Sequence, residues 1–143
     1  MNKQRIIRYI VIHCTATQPE TPVESIQRYW RENKKWGNTP GYHYLIKNNG
    51  EVVQLLDEFK PSYGVLGHNH ECVNLCYIGG IDRNGKPKDT RSVAQIRAMY
   101  AKIQELKHRY ANAEVRGRRD FPEARKACPS FDVRFWLANY KAV

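Results

Sequence analysis

Three short segments of this 143-residue chain carry side chains able to do chemistry. The first, Val11-Ile12-His13-Cys14-Thr15-Ala16-Thr17, ends an apolar run on a histidine. A histidine at the end of a buried strand presents a ring nitrogen at a sheet edge, although one standing alone is more often a hydrogen-bonded structural residue. The second is Gly41-Tyr42-His43-Tyr44. Neighbouring strand side chains point to opposite faces, so Tyr42 and His43 cannot both face one site. The third is Lys126-Ala127-Cys128-Pro129-Ser130-Phe131-Asp132. A loop cysteine close to a lysine has its thiolate favoured, which suits a metal ligand or a nucleophile. The remaining cysteines, Cys14, Cys72 and Cys76, read as buried or free thiols, because their spacing is not that of a disulfide framework.

The elements that must position these groups follow from periodicity and punctuation. Ile6 to Ile12 is β-branched and apolar and predicts a buried strand ending at His13. Thr21-Pro22-Val23-Glu24 predicts a helix start, with Thr21 as cap, Pro22 in the first turn and Glu24 closing a capping box. Val23, Ile26 and Trp30 then recur at helical spacing. Asn49-Gly50 between two apolar runs, 41–47 and 51–56, predicts a hairpin. Residues 61–71 read as loop, and 73–78 as a strand closed by Gly79-Gly80. Ser92 and Gln95 open the longest helix, with Val93, Ile96, Tyr100, Ile103 and Tyr110 as its apolar stripe. A short strand at 114–116 and a closing helix at 132–140 complete the chain. Strands and helices intermix, so the expected fold is α/β: a mixed central sheet flanked by helices, in one domain over residues 1–143.

The totals exclude several classes. Hydrophobic content of 41% and charged content of 27% belong to a globular chain rather than a disordered one. No apolar run is long enough to span a bilayer. The polar, basic start of the sequence carries no secretory signal, so synthesis in the cytoplasm is expected, with any route outward supplied by lysis or a dedicated system. The net charge is +10, and residues 83–126 hold 13 Lys or Arg against 5 Asp or Glu. Such a surface attracts any polyanion, including nucleic acid and an acidic cell wall. Neither a zinc-finger spacing nor an aromatic RNA-binding signature is present, so nucleic acid is not the expected partner.

Taken together, Ile12-His13-Cys14-Thr15-Ala16-Thr17, Gly41-Tyr42-His43, Gly79-Gly80-Ile81-Asp82 and Lys126 to Asp132 stand in the order of the zinc-dependent N-acetylmuramoyl-L-alanine amidase family, which the chain resembles from Ile10 to about Trp136. The resemblance implies a peptidoglycan or muropeptide substrate, cut at the amide between the lactyl group of muramic acid and L-alanine. It implies His13 and Cys128 as zinc ligands, Tyr42 as the group assisting water attack and Lys126 as the oxyanion stabiliser. Zinc in such a site lowers the pKa of bound water and polarises the scissile carbonyl.

The chain departs from that pattern in two places. The family's third ligand, a histidine, falls in a segment that here reads Gly117-Arg118-Arg119-Asp120, so Arg118 takes the ligand position. A guanidinium is always cationic and has no lone pair to offer a metal. The loop before the third strand reads Ser62-Tyr63-Gly64-Val65-Leu66-Gly67-His68-Asn69 where many relatives have a small-His-small pattern, so His68 is a candidate substrate contact on an altered groove floor. Three expectations follow: an enzyme in which His68, His70 or Asp120 supplies the missing ligand, a zinc-less peptidoglycan binder in which Arg118 pairs with a substrate carboxylate, or, in a different class, a basic protein that binds nucleic acid or a protein partner through the Arg83 to Lys126 surface.

Overall fold

The computed structural model describes residues 5–124 and 127–141. Five strands form one sheet in the order β3-β2-β4-β1-β5: β1 Tyr9–Cys14, β2 Tyr44–Ile46, β3 Val52–Gln54, β4 Cys72–Tyr77 and β5 Glu114–Gly117. The β2–β3 hairpin is antiparallel and every other pairing is parallel, so the sheet is mixed, as expected. Parallel strands are covered on both faces, and the buried runs of β1 and β4 reflect that.

The alternation of side chains sorts the strands into two faces. Ile10 and Ile12 of β1 and Val73, Leu75 and Tyr77 of β4 pack against α2 (Val93–Arg109) and α3 (Val133–Asn139), through Met99, Ile103, Leu106 and Val133. The opposite parity, Val11 and His13 with Cys72, Asn74 and Cys76, faces the side covered by α1 (Val23–Glu32) and the 61–71 loop. Placing His13 on the α1 face is therefore a direct result of Ile10, Ile12 and Leu75 filling the other one. The hairpin turns where Asn49-Gly50 requires it, with Gly50 at φ +92°.

Three local expectations are adjusted. Strand β1 begins at Tyr9, and Ile6 is exposed, because the parallel partners start only at Cys72 and Glu114. At α1, Pro22 is itself the cap residue and no side chain caps the helix, since the Thr21 hydroxyl donates to the Gln18 carbonyl instead. In α2 the buried stripe is Gln95, Met99, Ile103 and Leu106, and Val93 lies exposed. The cause is Gln95. Its Nε2 donates to the carbonyls of Ile46 and Ile78, both at 3.1 Å, and its Oε1 accepts from the Ser92 amide. A fully satisfied buried amide thus rotates the helix away from its apparent apolar face.

The Ser92 side chain accepts from the Gln95 amide at 3.0 Å, completing the capping box. Ser92→Ala is expected to lower unfolding free energy by about 1 kcal/mol. Urea unfolding should show a lower midpoint with an unchanged m-value. Among the described residues no helix is long and apolar enough to cross a membrane.

Candidate active-site cleft

A cleft of about 790 Å³ opens on the α1 face at the C-terminal end of β1. His13 forms part of its floor, Tyr42 and Trp36 one wall, and Cys128 and Arg118 belong to the same lining. The two ends of the chain meet here: the backbone N–H of Cys14 donates to Cys128 Sγ at 3.2 Å. Arg118 enters through a 3-10 turn, Arg118–Asp120, that directly follows β5, the strand beside β1.

His13 is almost fully buried and its orientation is fixed by a chain of hydrogen bonds whose polarity can be read throughout. The Ser62 hydroxyl donates to the Gly41 carbonyl at 3.0 Å, so its oxygen accepts from Asn74 Nδ2 at 2.8 Å. That leaves Asn74 Oδ1 as an acceptor for His13 Nε2–H at 2.8 Å. The proton therefore sits on Nε2, and the lone pair lies on Nδ1. Burial, outweighing the bond to Asn74 and aided by the charge of Arg118, holds the His13 pKa down to about 3, so the ring is neutral at ordinary pH. Asn74 is reached closely by the loop above it: a Cβ on Gly64 would lie 2.5 Å from the Asn74 amide, so only glycine fits.

His43 lies outside the cleft lining, on the other side of Asn74. It accepts from the Asn74 backbone amide at Nδ1 (3.0 Å) and donates from Nε2 to the Lys60 carbonyl (2.7 Å), and burial lowers its pKa to about 4. Of the two, only Tyr42 lines the cleft; both precede β2, and Tyr42 packs with Leu45 and Trp30 rather than on the Tyr44–Ile46 face that strand alternation would give it. The Tyr42 ring sits 4.9 Å from that of His13 and edge-on to Trp30 at 5.4 Å, and an aromatic wall continues through Trp36 to Tyr63. Burial pushes the Tyr42 phenol well above its ordinary pKa, so it remains a hydrogen-bond donor.

The Cys128 thiol is also pushed well up, by the neighbouring Cys14 thiol and by burial, opposite to the thiolate expected from the lysine close to it in sequence. Lys126 lies outside the described residues. His68 does not line the cleft. It bonds Glu71 Oε2 at 2.8 Å and Glu123 Oε1 at 3.4 Å, and its ring packs against Phe121.

Nor do the candidates for a replacement ligand converge on the cleft. Asp120 Oδ2 is occupied by the Gly117 amide, and His70 is exposed beside Glu71. Among the described residues no three His, Cys, Asp or Glu side chains come together to hold a metal. Arg118 has its Nη1 buried with no hydrogen-bond partner among the described residues. Two donors and a guanidinium do not make the three-ligand set that catalytic zinc requires. Sequence reading missed Asn74 and Ser62. The available signal was an asparagine in the middle of an otherwise apolar strand, Cys72–Tyr77.

The mixed sheet and the His13–Tyr42–Cys128 cleft at the end of its central strand define an amidase-type α/β domain. The profile of the family described as N-acetylmuramoyl-L-alanine amidase matches residues 2–131, and the chain belongs to that family. It is 34% identical over 142 residues to an endolysin of Klebsiella phage KP32, covering 99% of this chain and 92% of the relative. It is 34% identical over 135 residues to an endolysin of Escherichia phage T7, covering 94% and 87%. Among solved structures, the Ph2119 endolysin from Thermus scotoductus MAT2119 bacteriophage Ph2119 shares the fold, with a TM-score of 0.80 at 20% identity over 96% of this chain and 86% of that one. Enzymes of this family are generally zinc-dependent, which makes the incomplete donor set a property of this chain's own sequence.

Proposed function

We propose that this chain hydrolyses peptidoglycan at the amide between the muramic acid lactyl group and L-alanine, holding that amide in the His13–Tyr42 cleft. Family membership and the phage endolysin relatives support the substrate. The observation that carries the reading is the 4.9 Å approach of the Tyr42 ring to His13, on the same lining as Cys128 and Arg118. A protonated phenol is suited to donate to the scissile carbonyl as negative charge develops on it, and a nearby cation adds to that stabilisation. Lys126 is proposed as a further cation for the same charge. His13 offers a lone pair, but a base with a pKa near 3 removes a proton from water slowly, so turnover by these residues alone is low.

The test is digestion of purified sacculi, read as newly exposed L-alanine amino termini. Release by the parent chain, reduced about 100-fold in Tyr42→Phe, is the expected result. Undiminished release by Tyr42→Phe would remove the phenol from the mechanism, and absence of release at any enzyme concentration would remove the hydrolytic reading. One observation favours a second reading, of a binder that holds wall fragments without cutting: Arg118 in the place of a ligand. It would appear as sedimentation with sacculi without released stems.

A further inference from the structure

We infer that Arg118 converts the family's metal position into a carboxylate receptor, so that the cleft binds an acidic muropeptide group without any metal. The inference rests on the peptidoglycan reading above and deepens it. Its first support is the unpartnered Nη1 of Arg118. The guanidinium groups of Arg83, Arg91, Arg109 and Arg134 are each paired with a carboxylate, and Arg116, whose Nε is also buried without a partner, still pairs with Glu114 through Nη2. A buried N–H donor without an acceptor is costly, and a ligand oxygen at this position would relieve it.

The second support is the charge of the lining. Among the described residues, the charged side chains bordering the cleft are Lys34 and Arg118, with no Asp or Glu among them. A concave, mostly apolar site with two cations and no anion favours an anionic ligand. The planar guanidinium matches a carboxylate in two-point geometry. Muropeptides supply that chemistry from two sources, the lactyl acid of muramic acid and the carboxylates of the stem peptide.

Calorimetric titration with three probes separates the possibilities: N-acetylmuramic acid, N-acetylmuramoyl-L-alanine and the neutral N-acetylmuramoyl-L-alanine amide. One or both acids should bind at least about tenfold more tightly than the amide, and the tighter acid identifies the source. Chelator should leave this preference intact, and Arg118→Met should abolish it. Arg118→Lys, which keeps the charge but not the fork, should retain part of it, and serves if the methionine variant does not fold. Equal binding of acids and amide by the parent chain overturns the carboxylate receptor while leaving the peptidoglycan reading standing. Failure of all three probes to bind overturns both. Elemental analysis after dialysis against zinc gives an independent readout. The parent should retain none and Arg118→His about one equivalent, whereas one equivalent in the parent overturns the inference.

Discussion

Replacing Asn74 with leucine should lower unfolding free energy by about 2–3 kcal/mol and turn His13 out of register with Tyr42. The leucine fills a similar volume but removes the acceptor for His13 Nε2–H and the donor to Ser62 in one step. His13 is 2% exposed, so its orphaned N–H has no water to turn to, and a buried unsatisfied donor costs about 1–3 kcal/mol. For a chain of this size that corresponds to a fall in Tm of roughly 10 °C. The His43 side of the network should survive, because it is held by the Asn74 backbone amide rather than the side chain. Gly64→Ala should give a milder version of the same defect, since its methyl group would press the Asn74 amide off His13. Thermal melting, with the His13 ring resonances followed by NMR, checks both variants. An Asn74→Leu protein as stable as the parent, with an unmoved imidazole, would show that the network does not position this residue.

Acidification below pH 6.5 should destabilise the fold through its two buried histidines. His13 and His43 have folded-state pKa values of about 3 and 4, against an ordinary value near 6.5. Below pH 6.5 the unfolded chain therefore binds protons that the folded chain refuses, and stability rises with pH across that interval. Each histidine contributes a slope approaching about 1.4 kcal/mol per pH unit, so two approach about 2.7, a large fraction of a typical stability of about 5–15 kcal/mol. His68 acts in the opposite sense, because its bond to Glu71 raises its pKa, but its position near solvent weakens that contribution. Urea midpoints measured from pH 7 down to about pH 4.5 should fall steeply, and His43→Gln should show roughly half the slope. A flat profile over that range would mean that one or both rings protonate in the folded state.

Much of the fold was legible because its signals are local. The apolar, β-branched run of β1, the Asn49-Gly50 turn, the Ser92–Gln95 capping box and the closing helix from residue 132 each depend on neighbouring residues. The site was legible to the extent that its residues keep the family's spacing: His13, Tyr42, Arg118 and Cys128 line one cleft. What escaped was non-local. The burial of Gln95 is decided by two carbonyls 17 and 49 residues away, which no helical periodicity records. His68 was drawn from the cleft by Glu71 and Glu123, the second of them 55 residues further on. One lysine close in sequence points to an acidic Cys128 thiol, but its proton affinity is governed by Cys14, 114 residues earlier.

The position of β1 between β4 and β5 also dictates when the molecule can become complete. Strand β1 pairs with strands that begin at residues 72 and 114, and such distant pairings make for slow closure. Cys14 and Cys128, which meet at the cleft, lie 114 residues apart along the chain. A chain in which Cys128 has not yet been seated beside Cys14 carries half a site, so the cleft closes only once the most distant pairings of the sheet have formed.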